Sequence, residues 1–172
     1  VIDNDNPRKT SNNLSDILSV LNSYNEFDLI ITPGFSLYNS NDLENLLEKN
    51  KNKNSLLNIE VWFPDKEDKA LNYFIKGNTL IRKNIIQLFG TSKQMNDNIL
   101  LMDNFLSELE KNRSIKLKDK TLRLLICGEI NVVKNNQANN NQVTFRLDHD
   151  SSLKDKFNKI FTSTDIFIDP TH

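Results

Sequence analysis

The chain has 172 residues, 37% hydrophobic and 26% charged, with a formal net charge of −1. That length supports one ordinary core, and the near-neutral charge gives no electrostatic reason to expect nucleic acid or an anionic membrane as partner. No apolar run approaches the roughly 20 residues that span a bilayer and no signal-peptide core opens the chain, while a single cysteine allows no internal disulfide and fits a reducing, cytoplasmic setting.

Residues 1–10 are polar and read as an irregular lead-in to a single α/β domain over 11–172. Leu14, Ile17, Leu18 and Leu21 recur at helical spacing and predict an amphipathic helix over 11–24. Phe27 to Thr32 is a short apolar strand stopped by Pro33-Gly34. Ser40 or Asn41 can cap a second helix that carries Leu43, Leu46 and Leu47. Strands are expected over 56–63, 71–76 and 79–86, with Lys76-Gly77-Asn78 turning the last two into a hairpin. A third helix covers 97–111. Lysines from Lys116 to Lys120 read as solvated surface, and 122–127 as a strand buried on both faces, because its Leu and Ile residues lack polar alternation. The Asn/Gln run from Lys134 to Gln142 predicts a low-complexity loop. A short strand over 143–147, a helix over 151–161 and a last strand over 165–169 complete the series. About one residue in six is Asn, so the Asn runs reflect general composition and mark no site.

Cys127 stands at the end of the most apolar strand. A thiol there is either a small buried hydrophobe or a nucleophile at the carboxyl end of an α/β strand, and the segment alone leaves both open. A nucleophilic thiol needs a base or a lowered pKa. Lys83 in the hairpin is a candidate to assist; a lone strand lysine is more often solvated. Glu129, two residues past the cysteine, is either a base or a surface turn residue. His149 and His172 read as surface residues. The single cysteine and two histidines lack metal-ligand spacing, and the four glycines never cluster as a phosphate loop, so no metal and no cofactor is implied.

Four blocks, in order, resemble the carbon–nitrogen hydrolase (nitrilase) superfamily. They are DLIITPGFSLY from Asp28, NTLIRKNIIQLFG from Asn78, LLICGEI from Leu124 and DIFIDPTH from Asp165. The resemblance implies an αββα sandwich, with a mixed sheet bearing helices on one face, and against it this chain lacks both ends, either as a shortened domain or as a piece of a larger one whose remaining strands complete the sheet. It places Cys127 at the nucleophile and Lys83 at the oxyanion-stabilising lysine. It also places Gly34 where the family has its general-base glutamate and Thr91 where a second glutamate often stands, so both carboxylates are missing. Losing a positioned base typically costs on the order of 10²–10⁴ in rate.

Three functional expectations follow. The first is a catalytically degenerate nitrilase-like binding or assembly module, acting as a homo-oligomer or as part of a larger polypeptide. The second is an active amidase that takes a small amide or nitrile. There the Cys127 thiolate attacks the carbonyl carbon, Lys83 and the Gly128 N–H hold the oxyanion, and the amine leaves before water cleaves the thioester, with Glu129 as substitute base. The third is an unrelated α/β domain with Cys127 in its core.

Overall fold

A computed structural model describes residues 13–23, 26–51, 53–63, 69–95, 98–136 and 142–170. The chain is mixed α/β and divides into two compact units, residues 1–86 with 170–172, and residues 87–169. The division falls inside the span that the sequence presents as one domain.

The first unit is a four-stranded sheet in the order β1 (Leu29–Ile31), β2 (Leu56–Phe63), β3 (Lys69–Lys76) and β4 (Thr79–Ile85). β1 runs parallel to β2, and the two later pairings are antiparallel. Helices α1 (Leu14–Ser23) and α2 (Ser40–Asn50) supply Ile17, Leu21, Leu43 and Leu46 to a core shared with Leu57, Ile59, Val61 and Phe63. Those four β2 residues alternate along the strand and so line one face. The other β2 side chains are buried as well, among them Asn58 and Glu60. The α2 cap is Asn39, one residue ahead of the expected Ser40 or Asn41. Its side chain accepts from the Asp42 N–H at 2.9 Å, a bond worth about 1 kcal/mol. The expected hairpin forms, with Gly77 at φ +58° and its carbonyl accepting from Asn50 Nδ2 at 2.7 Å.

The second unit contains α3 (Ser92–Met95), α4 (Ile99–Glu110), β5 (Ser114–Leu117), β6 (Lys120–Leu124), a 3-10 turn (Cys127–Val132), β7 (Val133–Asn136), β8 (Gln142–Phe145), α5 (Ser151–Thr162) and β9 (Ile166–Ile168). β6 is central in a three-stranded sheet, antiparallel to β5 and parallel to β9, and β7 pairs with β8. Its core joins Met102, Phe105, Leu106 and Leu109 of α4 to Leu153, Phe157 and Ile160 of α5. A row of rings extends it, with centroids 4.5 Å apart for Phe145 and Phe157, 3.9 Å for Phe157 and Phe161, and 4.4 Å for Phe161 and Phe167.

Three sequence expectations need correction here. The lysine-rich stretch at 116–120 has exposed lysine side chains, yet its backbone makes the β5–β6 hairpin, with Lys118 at φ +54° in the turn. The expected loop at 134–142 begins as β7 and ends as β8, and residues 137–141 lie outside the described ones, as does the lead-in at 1–10. The strand expected to reach Cys127 stops at Leu124. Its burial on both faces holds, although it includes Arg123. That guanidinium donates from Nε to the Leu109 carbonyl at 3.1 Å and from Nη1 to the Ile160 carbonyl at 2.8 Å. It thereby satisfies carbonyls near the carboxyl ends of α4 and α5, where a cation also suits the helix dipoles.

Candidate functional site

The second unit builds an irregular turn around Cys127. The apolar run 122–126 is fully buried, and Leu125 N–H donates to the Ile168 carbonyl at 2.8 Å, which carries the chain alongside β9 beyond the end of β6. Cys127 then adopts φ +48° and opens the 3-10 turn with its side chain half-buried. A residue with a Cβ in this left-handed region costs about 1–2 kcal/mol, so surrounding bonds must hold it.

Gly128 is the first of those constraints. A Cβ on it would lie 1.9 Å from the Gly90 carbonyl oxygen and 2.6 Å from Gly90 Cα. The two backbones touch, and no side chain fits between them. Glu129 is the second. It has no exposed surface, and its carboxylate forms an ion pair with the Nη1 of equally buried Arg113 while accepting from Arg113 Nη2 at 3.1 Å. It also accepts from the N–H of Ile126 at 2.9 Å and of Leu88 at 2.7 Å. One side chain thus ties together the end of the β6 segment, the 86–90 segment and Arg113 after α4. Burial is the largest influence on the Glu129 carboxyl and raises it above the ordinary range, with the Arg113 charge and the two N–H donors pulling the other way. Arg113 is itself seated 5.5 Å over the Phe105 ring.

Asp169, the residue after β9, brings a carboxyl to the Cys127 backbone. Burial raises its carboxyl above the usual aspartate value, with the Cys127 backbone N–H pulling the other way. Its Oδ1 is buried and has no hydrogen-bond partner among the described residues. The sequence places an acid at this position without distinguishing it; what brings it to Cys127 is the parallel pairing of β6 with β9.

The remaining nominated positions fall in both units. Lys83 is exposed on β4 of the first unit. Gly34 is half-buried in the turn after β1, and Thr91 is exposed in the second unit, where its N–H donates to Gln94 Oε1 at 3.0 Å. A carboxylate that holds the Gly34 turn is that of Glu60, buried on β2. It accepts from the Phe35 N–H at 2.9 Å and from Asn72 Nδ2 at 2.8 Å. The available signal for it was an acid in the middle of an otherwise apolar strand, LLNIEVWF. His149 is exposed and His172 lies outside the described residues. Among the described residues no three His, Cys, Asp or Glu side chains converge to hold a metal, and no helix is long and apolar enough to cross a membrane. No family model, no curated protein and no solved structure matches the chain.

Proposed function

We propose that this chain is a divergent nitrilase-like domain of the αββα kind that keeps the cysteine turn as architecture, has lost hydrolytic turnover and works as a binding or assembly module. The observation that supports this most is the state of Glu129. A thiol nucleophile needs a group that can take its proton. Glu129 is the acid nearest to Cys127 in sequence, and its oxygens are engaged by Arg113 and by two backbone N–H groups. Gly34 brings no side chain and Thr91 no carboxylate. The full chain, incubated with a panel of small aliphatic and aromatic amides and nitriles, is expected to release no more ammonia than the Cys127→Ala variant. Turnover that disappears in that variant overturns the reading.

A second reading, an active amidase, is favoured by one specific observation. Cys127 occupies a conformation unfavourable for a side-chain-bearing residue, and the carboxyl of Asp169 adjoins its backbone. In this reading Asp169 replaces Glu129 as the proton acceptor. The thiolate attacks the amide carbon, the C–N bond breaks with the amine leaving as its protonated form, and water hydrolyses the thioester. Iodoacetamide labelling across pH decides it. An activated thiol reacts well below the ordinary thiol range near 8.5, and a profile indistinguishable from free cysteine removes this reading. Lys83→Ala tests the role that the resemblance gives to that residue.

A further inference from the structure

Among the described residues β1 is an edge strand, paired with β2 alone within its sheet. Thr32 N–H donates to the Asn58 carbonyl at 3.1 Å, and the Asp28 carbonyl accepts from Leu56 N–H at 2.8 Å. Even-numbered residues therefore turn their peptide groups toward β2, and by alternation Leu29 and Ile31 turn theirs outward. Beside that edge lies a cavity of about 260 Å³, walled by Ile17 and Val20 of α1 with Ile30, Ile31 and Pro33, and Asp16 is among its lining residues. Its apolar wall is open to solvent: Ile31 is 46% exposed and Val20 42%.

The charge of the surrounding chain selects among occupants. Between Lys9 and Lys49 there are six acidic residues, Asp16, Glu26, Asp28, Asp42, Glu44 and Glu48, and no lysine or arginine. The whole protein has a net charge of only −1, so the stretch that supplies α1, β1 and α2 is acidic in sequence, and of its acids Asp16 lines the cavity while Asp42 is buried. A second copy paired edge to edge across a two-fold axis would set this acidic segment against itself, which disfavours self-pairing. We propose that the outer edge of β1 docks an extended, basic segment of another polypeptide, which adds as a strand, places an apolar side chain in the cavity and sets its lysines or arginines against Asp16 and its acidic neighbours. This docking is independent of any chemistry at Cys127.

The probe is a fluorescein-labelled peptide with a Val-Ile-Val centre flanked by lysines, titrated with the full chain and followed by anisotropy. Three comparison peptides carry glutamate flanks, backbone N-methyl groups at alternate positions, or a Ser-Gly-Ser centre. The lysine-flanked peptide is expected to bind saturably and about tenfold more tightly than each comparison peptide. Val20→Lys and Ile31→Lys, both at exposed positions and checked by circular dichroism, are expected to weaken binding about tenfold, whereas Val143→Lys on β8 leaves it unchanged. Equal binding of the lysine and glutamate peptides overturns the basic occupant, and equal binding of the N-methylated peptide overturns strand addition. Concentration-dependent dimerisation abolished by Val20→Lys shows instead that a second copy covers the edge, and this too overturns the proposal.

Discussion

Two turns at the carboxyl ends of strands, one in each unit, are held by a buried glutamate, and they differ in how that glutamate is compensated. At the Cys127 turn Glu129 accepts the Ile126 N–H from three residues back and the Leu88 N–H from a distant segment, with a buried arginine on the same carboxylate. At the Gly34 turn Glu60 reaches across from β2 to the Phe35 N–H, with the neutral Asn72 amide beside it. The first turn therefore concentrates a full ion pair, a left-handed cysteine and a glycine–glycine contact in a few residues. The second includes hydrogen bonds from the Phe35 N–H and the Asn72 amide to Glu60, with Phe35 itself left-handed at φ +53°. A buried carboxylate can be spent entirely on organising backbone, so an acid next to a cysteine in sequence is not thereby a base.

Breaking the ion pair should produce the largest effect. Glu129→Ala leaves the Arg113 charge buried without its carboxylate partner and strips two N–H groups of their acceptor, which is expected to cost about 3–5 kcal/mol in urea denaturation. A loss below 1 kcal/mol would show that the turn is held by other means. Gly128→Ala comes next. Its Cβ has no space against the Gly90 carbonyl, and the backbone shift it forces should cost about 3 kcal/mol, at the upper end for overpacking. Glu60→Ala at the other turn is expected to cost about 1–3 kcal/mol, because the Phe35 N–H and the buried Asn72 amide lose an acceptor. If Glu60→Ala proves as costly as Glu129→Ala, the contrast between the two turns fails.

Cys127 itself provides a smaller and more diagnostic comparison. Cys127→Gly and Cys127→Ala both delete the thiol, but glycine alone is at ease at φ +48°. The glycine variant should be more stable than the alanine variant by about 1 kcal/mol, and equal stabilities would show that the turn relaxes in the variants. The smallest effect is a pH slope. Burial raises the Asp169 carboxyl above its ordinary value of 3.8, so the folded state binds its proton more tightly than the unfolded state. Its contribution to stability is greatest below pH 3.8 and is lost as pH rises through the raised value. Asp169→Asn should flatten the pH dependence over that window. Asp165, whose carboxyl is lowered chiefly by the Thr121 N–H, acts in the opposite sense and loses its contribution as pH falls.

Much of the secondary structure was legible because it rests on local pattern. The 3.6-residue spacing of Leu14, Ile17 and Leu21, the helical repeat through Phe105 and Leu109, and the Lys76-Gly77-Asn78 turn each suffice to form their element. The β5–β6 hairpin escaped because its exposed residues are lysines that read as surface, while pairing depends on a partner strand. Glu129 was legible as a residue near Cys127 but not as a clamp, since Leu88 and Arg113 lie 41 and 16 residues away. The same distance hid Asp169, which the β6–β9 pairing brings to the turn.

The sequence by itself determined the mixed α/β class, the order of most helices and strands, the burial of the largely apolar residues 122–126 and the absence of a carboxylate at Gly34 and Thr91. Those features follow from side-chain periodicity, composition and residue identity, which act locally. Only the tertiary structure decided that the chain divides after Ile86, that Glu129 is committed to Arg113 and two peptide groups, and that among the described residues the β1 edge is unpaired beside an apolar cavity. These depend on which buried donors meet which acceptors across long stretches of chain. Such pairings are fixed by packing and desolvation, and a residue's sequence neighbours do not record them.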